Sequence, residues 1–123
     1  MILKGVLIAE SLRAGGELSG IPLIVVKLSR IEAGSATAGQ PGQWTLLDFE
    51  AAETDAEELA DALAGCLAST GGWYVNYNTS IEAFVVFAGR VFRYPRGDAA
   101  GRTKVKEYAR SVGVPDTQLD WDD

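Results

Sequence analysis

The stretch AFVVFAGRVFRYP, residues 83–95, limits the fold more than any other part of the chain. Two β-rich runs flank one glycine. Whether the two-residue turn is Ala88-Gly89 or Gly89-Arg90, the same residues share a face. Ala83, Val85, Phe87, Phe92 and Tyr94 fall on one side, and Glu82, Phe84, Val86, Ala88, Val91 and Arg93 on the other. A hairpin with one side in water shows polar residues on that side. Here both sides are mostly apolar. The pattern predicts a hairpin in the interior of a sheet, with its first face in the core. The second face, with Phe84, Val86, Val91 and Arg93, is either covered or a contact surface for another protein molecule, including a second copy. The expected covers are the N-terminal strands or residues 34–43.

The remaining elements follow from punctuation and periodicity. Residues 1–12 and 22–33 read as strands, separated by the glycine-rich turn RAGGELSG. Residues 34–43, GSATAGQPGQ, read as a mobile loop, long for a plain hairpin tip. In the strand 44–51, Thr45, Leu47, Phe49 and Ala51 alternate with Trp44, Leu46, Asp48 and Glu50. Thr54 and Glu57 have capping-box spacing before a helix whose apolar positions are Ala56, Leu59, Ala60, Leu63 and Leu67, with Gly71-Gly72 as its stop. A strand at 73–78 precedes the hairpin. Asp98 is placed to cap a helix over 99–112, and Gly113 to end it. The expected fold is α+β: a mostly antiparallel sheet of five to six strands, two helices packed on one face, order βββαβββα. Residues 1–123 read as one domain with an acidic tail at 113–123. The two halves do not match well enough to read as a repeat.

The chain has no histidine, so Ser-His-Asp and Cys-His relays and the common zinc sites are unavailable. Cys66, the single cysteine, sits on the first helix with no base nearby in sequence and reads as a core residue; it can make no internal disulfide. Asp48 and Glu50 share a strand face but read as solvated charge near a helix start. The segment GDAAGRT, residues 97–103, has three residues between its glycines where a phosphate loop needs four, and follows a hairpin strand. No cofactor or metal is expected, and no catalytic constellation is recognisable. The apolar runs are too short for a membrane helix, and the expected location is the cytoplasm.

Net charge is −6, unevenly spread. Residues 88–112 carry seven basic and two acidic side chains, between flanks of net −7 and −4. Arg102, Lys106 and Arg110 are spaced i, i+4, i+8 on the last helix, an arrangement that costs helix stability through like-charge repulsion. With Arg90 and Arg96 they form a candidate anion patch. Against this, Leu119 and Trp121 alternate with aspartates, so the tail is expected to fold back, dock its tryptophan and partly neutralise the stripe. The favoured function is a small noncatalytic protein-interaction domain, with self-association or another protein as partner. The alternatives are a binder of an anionic small molecule or nucleic acid, or an acidic inhibitor of a basic enzyme.

Overall fold

Period-two alternation in the hairpin translates directly into structure. The computed structural model describes residues 1–121; Asp122 and Asp123 of the acidic tail lie outside the described residues. The described residues form β1 (Ile2–Ile8), β2 (Ile24–Glu32), β3 (Gln43–Ala52), α1 (Ala56–Cys66), β4 (Val75–Asn78), β5 (Glu82–Phe87), β6 (Arg90–Pro95) and α2 (Ala99–Ser111). The sheet is antiparallel with order β2-β3-β1-β4-β5-β6. The fold is α+β with the expected βββαβββα order. The hairpin turns at Ala88-Gly89, with Gly89 at φ +71°. Ala83↔Tyr94 and Val85↔Phe92 pair on one face, and Phe84↔Arg93 and Val86↔Val91 on the other, as the alternation predicts.

Two expectations are corrected. The hairpin is not interior: β6 is an edge strand. Nor do the helices share a face. Phe84 and Val86 pack with Leu59, Leu63, Leu3 and Phe49 in a core under α1. Val85 and Phe87 pack with Val105, Ala109 and Trp121 in a second core under α2 and the tail. Both sides of β5 are apolar because a helix closes each side, so the hairpin needs no flanking strands to be buried. The cover over Phe84 and Val86 is α1, not the N-terminal strands or residues 34–43.

Local signals hold in some places and fail in others. Asp98 accepts from the Gly101 N–H at 3.1 Å, and Gly113 takes the left-handed conformation at φ +95° that ends α2. Thr54 does not cap α1. A 3-10 turn over Glu53–Asp55 makes Asp55 the first flanking residue, with no side-chain cap bond. α1 stops at Cys66, before the glycine pair, because Leu67 leaves the helix to bridge to Leu12. β1 stops at Ile8, where a 3-10 turn over Ala9–Ser11 takes over.

β1 joins the two halves of the sheet. It pairs along its length with β3 and, among the described residues, at the single position Gly5↔Tyr77 with β4. Gly5 leaves room for the Phe49 ring, which lies across the strand: a Cβ there would sit 2.6 Å from Phe49 Cζ. Phe49 is itself buried and has little freedom to retreat. The Gly5→Val variant is therefore expected to lose about 1–3 kcal/mol of stability in urea melts, through overpacking at this junction.

Candidate interaction surface

The helices do not reach the whole sheet. α1 lies over the middle strands on one face, and α2 with the tail lies over β5 and β6 on the other. β2 is left as a nine-residue edge strand. Ile24, Val25, Val26, Leu28 and Ile31 are between 38% and 67% exposed, and they occupy both faces of the strand. β-Branched and apolar residues make this segment a good strand, and among the described residues no element covers it. The opposite edge differs in chemistry. β6 carries Arg90, Arg93 and Pro95, which discourage pairing with another strand.

Two of the three charged side chains of β2 are turned back onto its own sheet. Arg30 donates to Thr45 Oγ1 at 2.7 Å and pairs with Glu10 at 3.3 Å; Glu32 accepts from Gln43 Nε2 at 2.9 Å. Glu10 also accepts from the Thr45 N–H at 2.6 Å and Thr45 Oγ1 at 2.9 Å. Burial pushes the Glu10 pKa up, but the Thr45 hydrogen bonds and the Arg30 charge outweigh it and hold the carboxyl below its ordinary value.

Beside the edge lies a cleft of about 240 Å³. Its floor crosses the sheet through Val6, Ile31 and Trp44, and its far wall includes Tyr74 and Asp120. Trp44 meets Trp73 edge to face, with ring centroids 5.5 Å apart. The loop expected to be mobile, 34–43, is tied down at this rim. Buried Gln40 donates to Gly71 O at 2.6 Å, and Gln118 of the tail donates to Gln40 Oε1 at 2.9 Å and to Ser35 O at 2.7 Å.

The residues singled out in the sequence fall in three places. Phe84 and Val86 are buried under α1 and Val91 is half-buried beside them, so this face is closed within the chain and is not a surface. Arg93 lies over the Phe84 ring at 4.7 Å, bonded to Glu82 at 2.7 Å and to Glu57 of α1. The hydrogen bonds it donates to Glu82 and then to Glu57 raise its pKa further.

The candidate anion patch is divided. Arg90 rests 4.7 Å from the Phe92 ring centroid and 5.3 Å from that of Tyr108, and Arg96 donates to Thr79 O at 3.4 Å. On α2, Arg102 donates to Trp121 O, Lys106 Nζ is 5.8 Å from the Trp121 ring centroid, and Arg110 bonds Asp116 at 2.7 Å. The tail does fold back. Leu119 and Trp121 are buried, and Trp121 Nε1 donates to Tyr94 Oη at 2.8 Å. Asp116 faces the stripe, whereas Asp120 turns to the cleft.

Cys66 is buried, and burial raises its thiol pKa. Among the described residues, no group of three or more His, Cys, Asp or Glu side chains is placed to hold a metal, and no helix is long and apolar enough to cross a membrane. No family model, curated protein or solved structure matches the chain.

Two outcomes are expected from these contacts. Trp121→Ala should cost about 3–5 kcal/mol in denaturant melts, the range for emptying a buried aromatic site. Asp116→Asn should cost only about 0–1 kcal/mol, because its pair with Arg110 is exposed. Glu10 supplies a pH test. Its lowered folded-state pKa means that its contribution is complete above the ordinary glutamate range and is lost as pH falls through the folded value. Protection factors of the β2 amides, corrected for the intrinsic slowing of exchange in acid, should therefore fall as pH drops below the ordinary glutamate range. In Glu10→Gln, β2 should already exchange faster at neutral pH, without that acid step.

Proposed function

We propose that this chain is a noncatalytic protein-interaction domain whose contact surface is the β2 end of the sheet. One observation carries the reading: a nine-residue edge strand with apolar side chains exposed on both faces. Such an edge offers unpaired backbone groups and apolar area together, a combination that folded proteins normally cover or guard. Here the guard is Lys27, a register shift between Val25 and Lys27, and the charges of Arg30 and Glu32, which are bonded to their own sheet.

The reading of an anionic ligand on the 90–110 block draws less support. Arg93, Arg96, Arg102 and Arg110 all have hydrogen-bond partners within the chain, so a ligand would compete with existing contacts. The net charge of −6 further opposes polyanions at long range.

The test separates service to a partner from service to the fold. Ile24→Thr, Val26→Thr and Leu28→Thr should each change stability by no more than about 0.5 kcal/mol, as substitutions at exposed positions do. A loss above about 2 kcal/mol for any of them in urea melts would show that these side chains support the fold, and would defeat the reading.

A further inference from the structure

Resting on the reading of β2 as the docking edge, we infer that its occupant is a second copy of this chain, paired antiparallel through β2 across a two-fold axis near Ser29. The partner must bring an exposed strand edge with apolar side chains on both faces, because β2 exposes Val25 and Leu28 on one face and Ile24 and Ile31 on the other. β2 itself meets that requirement, and β6 with its arginines and proline does not.

An isolated peptide strand is the poorer fit. Strand-adding peptides gain specificity from side-chain pockets along the edge. The cleft beside β2 takes only Ile31 from that strand; the rest of its floor and walls belongs to the strands and loops behind. An edge strand that lends a single residue to the neighbouring cleft suits a second sheet, which would cover the apolar patches of both faces at once. Two-fold symmetry makes the same patch serve both copies.

Charge is no obstacle to the same arrangement. The chain carries −6, yet residues 24–32 hold two basic side chains and one acidic, a local +1. The edge is thus close to neutral and adds little repulsion between two copies. Arg30 and Glu32 are already bonded to their own sheet, so neither opposes the approach. The register shift lies between Val25 and Lys27, which leaves Lys27–Glu32 in unbroken register with β3 as the regular stretch for pairing. An axis beside Ser29 sets Leu28 opposite Arg30 and Lys27 opposite Ile31, so no like charges are directly opposed.

Sedimentation equilibrium of the full chain, from about 5 μM to about 500 μM, tests the inference. The wild type is expected to reach twice the 13.1 kDa chain mass within that range. Leu28→Lys should keep its circular dichroism spectrum and weaken dimerisation at least about 100-fold, to a monomer throughout. Under mild oxidation Ser29→Cys should form a covalent dimer, since residues facing each other at the axis lie within disulfide reach. Glu32→Cys should not, since an antiparallel pair sets those positions roughly 20 Å apart. Buried Cys66 does not compete. A wild type that stays monomeric at every concentration, or a dimer indifferent to Leu28→Lys, overturns self-pairing. Cross-linking through Glu32→Cys and not Ser29→Cys overturns the proposed axis. If the dimer is absent while the threonine variants of β2 keep full stability, the occupant is wrong and the docking edge stands. If those variants lose stability, the docking edge itself is wrong.

Discussion

The two halves of the sheet are held together at Gly5 and Tyr77, and the rest of the structure depends on that junction. Backbone pairing there is one residue pair long, too little to hold two three-stranded sheets in register. Side chains do the remainder. Phe49 reaches across Gly5 from the first half. Tyr77 stacks on Phe84 in the second half, with centroids 5.2 Å apart, and donates to Ala56 O at the start of α1 at 2.6 Å. Leu59 and Leu63 of α1 belong to the same core as Leu3 and Leu7 of the first half and Val75 and Val86 of the second. The helix is thus the splint, and the glycine is what lets Phe49 take part in it.

Placing α1 at the junction decides what else must happen. It covers one face of β5, and its alternating apolar residues then require a second cover on the other face. α2 and the tail supply it, with Trp121 bonded to Tyr94 and the basic stripe lying along the tryptophan. Arg102, Lys106 and Arg110 therefore have the tail as their environment, whereas Arg90, Arg93 and Arg96 are engaged elsewhere. Both covers lie toward β5–β6 or the sheet centre, and among the described residues no third α-helix lies over β2.

What was legible in the sequence follows from what is local. The face division of residues 83–95 could be read because strand periodicity is two and the turn holds two residues. Asp98 and Gly113 could be read because a cap and a left-handed stop are one-residue decisions. The side of the sheet that each helix takes could not, because it depends on how connections of many residues cross the sheet. The capping box at Thr54 matched the pattern and still failed, since a 3-10 turn moved the helix start by one residue. β2 is the instructive miss. A β-branched apolar run reads the same whether it is central or at an edge, so Ile24, Val26 and Leu28 gave no sign of exposure. The available clue was the absence of a helix between β2 and β3, which leaves that end of the sheet without a nearby cover.

The halves of the sheet are also halves of the chain: β1–β3 lie within residues 1–52 and β4–β6 within 75–95. During synthesis, the first 52 residues already contain every partner that β1, β2 and β3 need for one another. They do not contain α1. Until Cys66 has left the ribosome, Leu3, Leu7 and Phe49 have no helix to lie against. A three-stranded sheet formed before α1 docks would be apolar on that face as well as along β2, the kind of exposed surface that makes folding intermediates prone to aggregate.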